Sequence, residues 1–480
     1  MTNVMVFILT EGTEKTGLGH IGRCLSIFQA FNERGITPRF IVNGGAAAAQ
    51  LLIGKPHEIF DWLADTYRLS SLLKSSDIVI VDSYLAPREH YNLVSQLVQS
   101  PVFLDDNIRL NYPKGIVVNG TMFAERLPYP QNPSVDYHLG SAYILLRQDF
   151  WQIPQHKTND NVQDVLISFG GSDIRNLTPV ILQRICQTKP TWTKHVVIGP
   201  GSGNLEVIKK VSDQETIFYQ GLSATEMKEL MLKCDLAISA AGQTINELAR
   251  CGLPTIAFQV IDNQTENVKG WTQAGFLAAA FNHESFSLKE LDSAISELEN
   301  KELRMRLTSI GQKCVDGKGA SRLFSAAMGA LITLNQATSN DLMPLFYLAN
   351  DPVVRANSFS TEEIKLSEHT AWFNRILQSK DTLLVLARIQ DEPLGQVRFD
   401  RKEEGVVTSI SISSDFRGWG LGDILLRKAL SYVKSHWPET SLVIAYVKST
   451  NIASQRIFEK AGYQLTEDEK GTLKYIYHYV

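Results

Sequence analysis

Up to about residue 330 the chain alternates short β-branched runs with segments of helical period. One arrangement satisfies that alternation over so long a stretch: parallel strands joined by right-handed helical crossovers. The class is therefore α/β. Strands are expected at 4–9, 37–43, 77–82, 101–105 and 115–119, and a second series at 164–169, 195–198, 215–219, 236–240 and 254–260. Between the series lies WQIPQHKTNDNVQ at 151–163, polar and proline-containing, the best linker of the first half. The pattern predicts two doubly wound, Rossmann-like domains in tandem, whose ligands sit in the cleft between them.

After the polar stretch LNQATSND at 334–341 the pattern changes. Antiparallel-looking strands at 382–390, 394–400 and 405–413 lead to a helix and then to strands at 441–449 and 472–480, an α+β order. The 480 residues thus divide into 1–160, 161–333 and 334–480, each long enough to bury its own core. With 47 basic and 51 acidic residues, no global field draws the chain to nucleic acid or to an anionic membrane. The apolar run near Met1 lacks a basic flank and is too short to span a bilayer, so it reads as a first strand. Cys24, Cys186, Cys234, Cys251 and Cys314 are scattered, without the close pairs of a zinc site. They read as reduced thiols of a cytoplasmic protein.

Strand 4–9 runs into a loop holding Gly17, Leu18, Gly19 and His20, then into a helix with the apolar stripe Ile21, Cys24, Leu25, Phe28 and Phe31. His20 therefore stands at a helix start beside the expected cleft. Glycines there let a ligand approach the backbone, and the free N–H groups favour an anion or a sugar oxygen. Tight packing alone would also explain such a turn; the polar, basic histidine is what it does not explain. The positive helix end is expected to lower the pKa of His20 and leave a neutral imidazole able to accept a proton. In the second domain, SAAGQTINELARCGLP at 239–254 carries a strand through small residues into a short helix closed by Gly252. Gln243 and Glu247 share one face of that helix, and the Glu247 carboxylate has two acceptor oxygens for ribose hydroxyls. Gly170, Gly171, Ser172 and Asp173 form a second candidate phosphate loop, or an ordinary strand-to-helix turn.

In order along the chain, GLGHIGRCL at 17–25, VDSY at 81–84, LDDN at 104–107, YILLRQDF at 143–150, FGGSD at 169–173, SAAGQTINELARCGLP at 239–254 and NQ at 263–264 resemble the UDP-sugar hydrolases of pseudaminic acid biosynthesis. Those enzymes are relatives of the glycosyltransferases, and the resemblance covers about residues 1–330. It implies a glycosyltransferase-B-like pair of domains. It also implies hydrolysis of UDP-2,4-diacetamido-2,4,6-trideoxy-β-L-altropyranose to the free sugar and UDP, at the anomeric carbon and without a metal. On its positions His20 is the catalytic candidate. Asp82, Tyr84, Arg147, Asn263 and Gln264 would line the cleft, and Ser239, Gly242, Thr244 and Glu247 would hold UDP.

In the last third, the strand GVVTSISIS at 405–413 is followed by Asp415, Phe416, Arg417, Gly418, Trp419, Gly420, Leu421 and Gly422, which open a long helix. Backbone N–H groups released by the glycines can point at a pyrophosphate, and Arg417 adds a positive charge. The pattern at Arg417, Gly420 and Gly422, with NIASQRIFEKAGY at 451–463, resembles the GNAT acetyltransferases. The resemblance implies acetyl-CoA as cosubstrate, with Asn451 beside the loop. Phe458 departs from it, standing where many members have a tyrosine able to protonate the leaving thiolate. A water or Tyr446 is the expected substitute. Residues 348–373 look like sugar-nucleotide 4-amino acetyltransferases, in which His369 and Trp372 would border an amino-sugar pocket, although helix packing accounts for each residue singly.

Overall fold

The computed structural model describes the chain except residues 1–2, 14–16, 75, 200, 202–204, 470 and 480 and the side chain of Asn263. Its first sheet comprises β1 (Val6–Gly12), β2 (Arg39–Gly44), β3 (His57–Ile59), β4 (Ile78–Asp82), β5 (Ser100–Leu104), β6 (Gly115–Asn119) and β7 (Val135–Leu139). The strands are parallel and run in the order β3-β2-β1-β4-β5-β6-β7. Every residue of β1, β4 and β5 is buried, as expected of strands covered by helices on both faces.

The second sheet holds β8 (Asp164–Ser168), β9 (Thr193–Ile198), β10 (Thr216–Gln220), β11 (Leu236–Ala240), β12 (Thr255–Gln259) and β13 (Leu277–Asn282). These too are all parallel, in the order β10-β9-β8-β11-β12-β13. Both sheets are Rossmann-like, with strand order reversing between β1 and β4 and between β8 and β11. In open α/β sheets the crevice at such a reversal binds ligands.

The third sheet, β14 (Ile332–Gln336), β15 (Thr382–Ile389), β16 (Glu392–Lys402), β17 (Gly405–Ile412), β18 (Leu442–Lys448), β19 (Gln464–Glu469) and β20 (Thr472–His478), runs β14-β15-β16-β17-β18-β20-β19. All neighbours are antiparallel except β17 and β18, which the helix Gly422–His436 connects. That parallel pair is short: pairing stops at Thr408 and Ala445 although β17 continues to Ile412.

Five strands escape the sequence pattern. β3 has three residues, β7 has one buried position, β19 is exposed throughout, β13 is alanine-rich, and β14 runs into the polar stretch at 334–341. β14 is instead an edge strand paired with β15, and a 3-10 turn at Ser339–Asp341 follows it.

The helix Gly319–Ala330 falls at the end of the stretch expected to be the second domain, 161–333, but packs on the first. Leu323, Phe324, Ala327 and Met328 are buried there, Phe324 meets Phe31 edge to face at 4.8 Å, and Ser100 Oγ donates to the Ala327 carbonyl at 2.9 Å. The same helix touches the third domain. Phe324 also lies edge to face with Trp419 at 5.3 Å, and Gly329 sits against Ile424. One continuous apolar cluster consequently runs from the first domain into the third. Among the described residues no helix is long and apolar enough to cross a membrane.

Candidate active sites

The first site forms where strand order reverses in the first sheet. β1 delivers the chain to the helix Gly19–Asn32, whose second residue is His20, and neighbouring β4 ends at Asp82. Both side chains are buried, His20 at 7% and Asp82 at 1% exposure. His20 Nδ1 lies 2.8 Å from Asp82 Oδ1. An ionised carboxylate only accepts, so Nδ1 carries the proton and Nε2 is left as the basic nitrogen. Arg23, one turn further along the helix, donates from Nε to Asp82 Oδ2 at 2.9 Å and from Nη1 to Asp106 Oδ1 at 2.6 Å. The Tyr84 hydroxyl donates to the other Asp106 oxygen, and its ring stands edge-on to His20 at 4.6 Å. Glu11, at the end of β1, accepts from the Ser83 hydroxyl and from the Tyr84 backbone N–H, which fixes the turn after β4.

The electrostatics reverse one expectation. Burial alone would depress the His20 pKa, but the charge of Asp82 and the hydrogen bond to it hold it above the ordinary value. The helix start does not leave His20 with a lowered pKa, because a buried carboxylate in direct contact outweighs a helix end. Burial would raise Asp82, yet Arg23 and His20 hold it well below the usual carboxylate range.

A cleft between the first two domains is lined by Gly19, His20, Arg23, Tyr84, Asp106 and Thr121 on one side and by Gly242, Gln243, Asn246, Gln264, Glu266 and Asn267 on the other. Asn267 Nδ2 donates to the Ala241 carbonyl at 2.9 Å, and Gln264 Oε1 accepts from Val260 N at 2.9 Å, pinning the loops after β11 and β12. The helix Thr244–Cys251 starts at this cleft with no side-chain cap; its Ile245 and Asn246 N–H groups donate to the Gly242 and Gln243 carbonyls at 3.2 and 3.0 Å, and its positive end suits an anion. Ser239 is buried at the end of β11, and Thr244 is the first residue of that helix.

Several expected residues stand away from the cleft lining. Gly17, with φ of +67°, lies just before the helix. Gly171 and Ser172 follow β8, and Asp173 accepts from the backbone N–H groups of Leu177 and Thr178, both at 2.9 Å, a capping role. Arg147 and Glu247 find each other: Nε to Oε1 is 2.9 Å and Nη2 to Oε2 is 3.0 Å, a two-point ion pair between segments of the two domains. Burial raises the Glu247 pKa, and Arg147 opposes that rise. Asn263's side chain lies outside the described residues. Arg23 and Asp106 escaped the sequence reading, although Arg23 stands one turn from His20 and Asp106 is part of LDDN.

The second site surrounds the loop before the helix Gly422–His436. Gly418 and Gly420 have φ of +80° and +72°, open to glycine, and the helix start carries no side-chain cap. The Trp419 N–H donates to the Phe416 carbonyl at 3.3 Å, and the backbone N–H groups of Gly418, Gly420 and Gly422 suit a pyrophosphate. Arg417 is engaged elsewhere: Nε donates to the Ile412 carbonyl at 3.1 Å and Nη2 to Asp351 Oδ1 at 2.6 Å. Asp423, in the first turn, is paired with Arg427 at 2.9 Å. Asn451 caps the helix Ile452–Lys460 through Ser454 N at 3.1 Å.

Phe458 is buried against Tyr463, and Tyr446, one residue past the end of β17–β18 pairing, donates to Glu404 Oε1 at 3.0 Å. Partial burial and that bond raise the Tyr446 pKa. His369 is buried among Phe346, Trp372 and Phe373; burial lowers its pKa, and its Nε2 has no hydrogen-bond partner among the described residues.

Residues 332–464 match the family described as the acetyltransferase (GNAT) domain. The last third of the chain is a GNAT acetyltransferase domain. Ahead of this GNAT domain, residues 165–317 match the glycosyltransferase family 28 C-terminal domain. An uncharacterized protein of Methanocaldococcus jannaschii is 23% identical over 96% of this chain and 97% of its own length. A Helicobacter pylori protein named pseudaminic acid cytidylyltransferase and UDP-2,4-diacetamido-2,4,6-trideoxy-β-L-altropyranose hydrolase is 26% identical over 56% of this chain and 47% of its own length. A Campylobacter jejuni protein named for that hydrolase alone is 20% identical over 56% of this chain and 97% of its own length. Homologues of that name thus cover the part of the chain that precedes the GNAT domain.

Proposed function

We propose that the interdomain cleft hydrolyses UDP-2,4-diacetamido-2,4,6-trideoxy-β-L-altropyranose and that the GNAT domain acetylates the 4-amino group of its UDP-amino-sugar precursor. The two would be consecutive steps of pseudaminic acid biosynthesis, carried out in the cytoplasm. The observation that carries the hydrolase reading is the His20–Asp82 pair at the wall of a cleft whose opposite wall is an uncapped helix start. Asp82 orients the imidazole and stabilises it once charged; Nε2 takes the proton of a water that attacks the anomeric carbon. Departing UDP is received at the positive end of the helix Thr244–Cys251. Direct attack by water inverts the anomeric configuration.

In the GNAT domain, acetyl-CoA supplies the activated acetyl group. The backbone of Gly418–Gly422 holds its pyrophosphate, and β17 beyond Thr408 offers unpaired backbone groups alongside. Having both sites in one chain raises the local concentration of one near the other.

The test incubates the purified protein with the diacetamido UDP-sugar in 18O-labelled water and follows UDP release, label position and anomeric configuration. Expected are UDP release without any acceptor, label on the sugar, and inversion. Label in UDP would place attack at phosphorus and remove the mechanism. A glycosyltransferase is the second reading, favoured by the family matched at residues 165–317. It predicts turnover only when an acceptor is added. For the GNAT domain, acetyl transfer that ignores UDP-amino sugars would sink the proposed acceptor.

A further inference from the structure

The coenzyme loop of the GNAT domain is in contact with a helix that lies before that domain. The family match begins at residue 332, and the helix Gly319–Ala330 ends before it. Yet the Ser325 hydroxyl lies 2.7 Å from the carbonyl of Trp419, in the middle of the loop, and 2.9 Å from the Ser321 carbonyl of its own helix. A serine hydroxyl has one proton, and the shorter contact is the one to the loop. Phe324 packs edge to face on Trp419, and Trp419 in turn on Phe416 at 4.9 Å. A Cβ added to Gly420 would stand 2.4 Å from Ser325 Oγ. Glycine at that position therefore answers to the neighbouring helix as well as to its own left-handed backbone.

We infer that Ser325 is a positioning residue for coenzyme binding, holding the Arg417–Gly422 loop from outside the GNAT domain. This rests on the reading that the loop binds acetyl-CoA. Backbone N–H groups bind an anion well only when they already point at one spot, and a glycine-rich loop left free would populate many other conformations. Apparent affinity falls by the fraction of the loop that is correctly arranged. Ser325 and Phe324 restrict it at Trp419, while Asp351 holds Arg417 at its start. Because the helix Gly319–Ala330 is also anchored on the first domain, coenzyme at the loop should steady the anchor in turn.

The experiment measures coenzyme A binding to the full chain by calorimetry and amide hydrogen exchange with and without coenzyme A. Ser325→Ala should weaken binding about fivefold, the worth of one ordinary hydrogen bond. In a Michaelis–Menten comparison the change should fall on the KM for acetyl-CoA and leave kcat nearly unaltered. In the wild-type protein, which needs no variant to fold, coenzyme A should slow exchange across residues 319–330. Equal affinity in Ser325→Ala together with unchanged exchange in that helix would overturn the inference while leaving the acetyltransferase reading intact. If the wild-type chain bound no coenzyme A at all, the acetyltransferase reading would fail and the inference with it.

Discussion

Asp82 carries two loads, orienting His20 and neutralising Arg23, and the two can be separated by pH. A base must be unprotonated to act, so with the His20 pKa raised the hydrolysis rate should climb as pH rises through a value above 6.5. Asp82→Asn removes the charge that raises it. The acid limb should then move to lower pH, while turnover falls because the tautomer is no longer fixed. A profile that stays in place would show that another group sets the limb.

His20→Asn should reduce UDP release by roughly 10²–10⁴-fold with UDP affinity preserved; near-normal hydrolysis would exclude the histidine. Glu247→Ala should weaken UDP binding by about 1.5–3 kcal/mol if its carboxylate takes the ribose hydroxyls. Arg147→Ala is the control in the same titration. If the ion pair merely holds the domains together, both variants should lose affinity alike. His20 was legible because a basic residue at a glycine-rich helix start has no packing reason to be there. Asp82 was named through the resemblance, but its pairing with His20 was not legible, since the two lie 62 positions apart and meet only because β1 and β4 are neighbours where strand order reverses.

Among the elements, the helix Thr244–Cys251 depends on how it ends. Gly252 closes it with φ of +70°, and an added Cβ would sit 2.8 Å from Thr308 Cγ2. Gly252→Ala should therefore destabilise the protein by about 1–3 kcal/mol, read as a lower midpoint in urea. A midpoint at the wild-type value would mean that the turn relaxes freely. Strands buried on both faces, such as β4 and β5, stand out by pattern alone. β14 was hidden because it lies at a sheet edge: Ile332 is buried, but Thr333, Asn335 and Gln336 are exposed, and such a strand has the composition of a loop. The Gly418–Gly422 loop could be read from its spacing, whereas the pairing of Arg417 with Asp351, 66 positions away, could not.

Across the whole molecule, the apolar cluster shared by the first domain and the GNAT domain argues against three independent units. Calorimetry should resolve fewer transitions than domains. Hydrogen exchange should show the helix Gly19–Asn32 and the helix Gly422–His436 opening with similar free energies, because the helix Gly319–Ala330 packs on both neighbourhoods. Widely separated opening energies would restore the independent-unit picture.

The return of Gly319–Ala330 onto the first sheet also bears on how the chain is made. During synthesis the first domain has all its strands once Leu139 has emerged, but the helix that covers Ser100 and packs against Phe31 comes almost two hundred residues later. At roughly 5–20 residues per second, that face waits on the order of 10–40 s for its cover. Over that interval the nascent first domain presents Phe31 and its apolar neighbours to solvent, a surface that a chaperone can hold until the second domain has passed and the covering helix arrives.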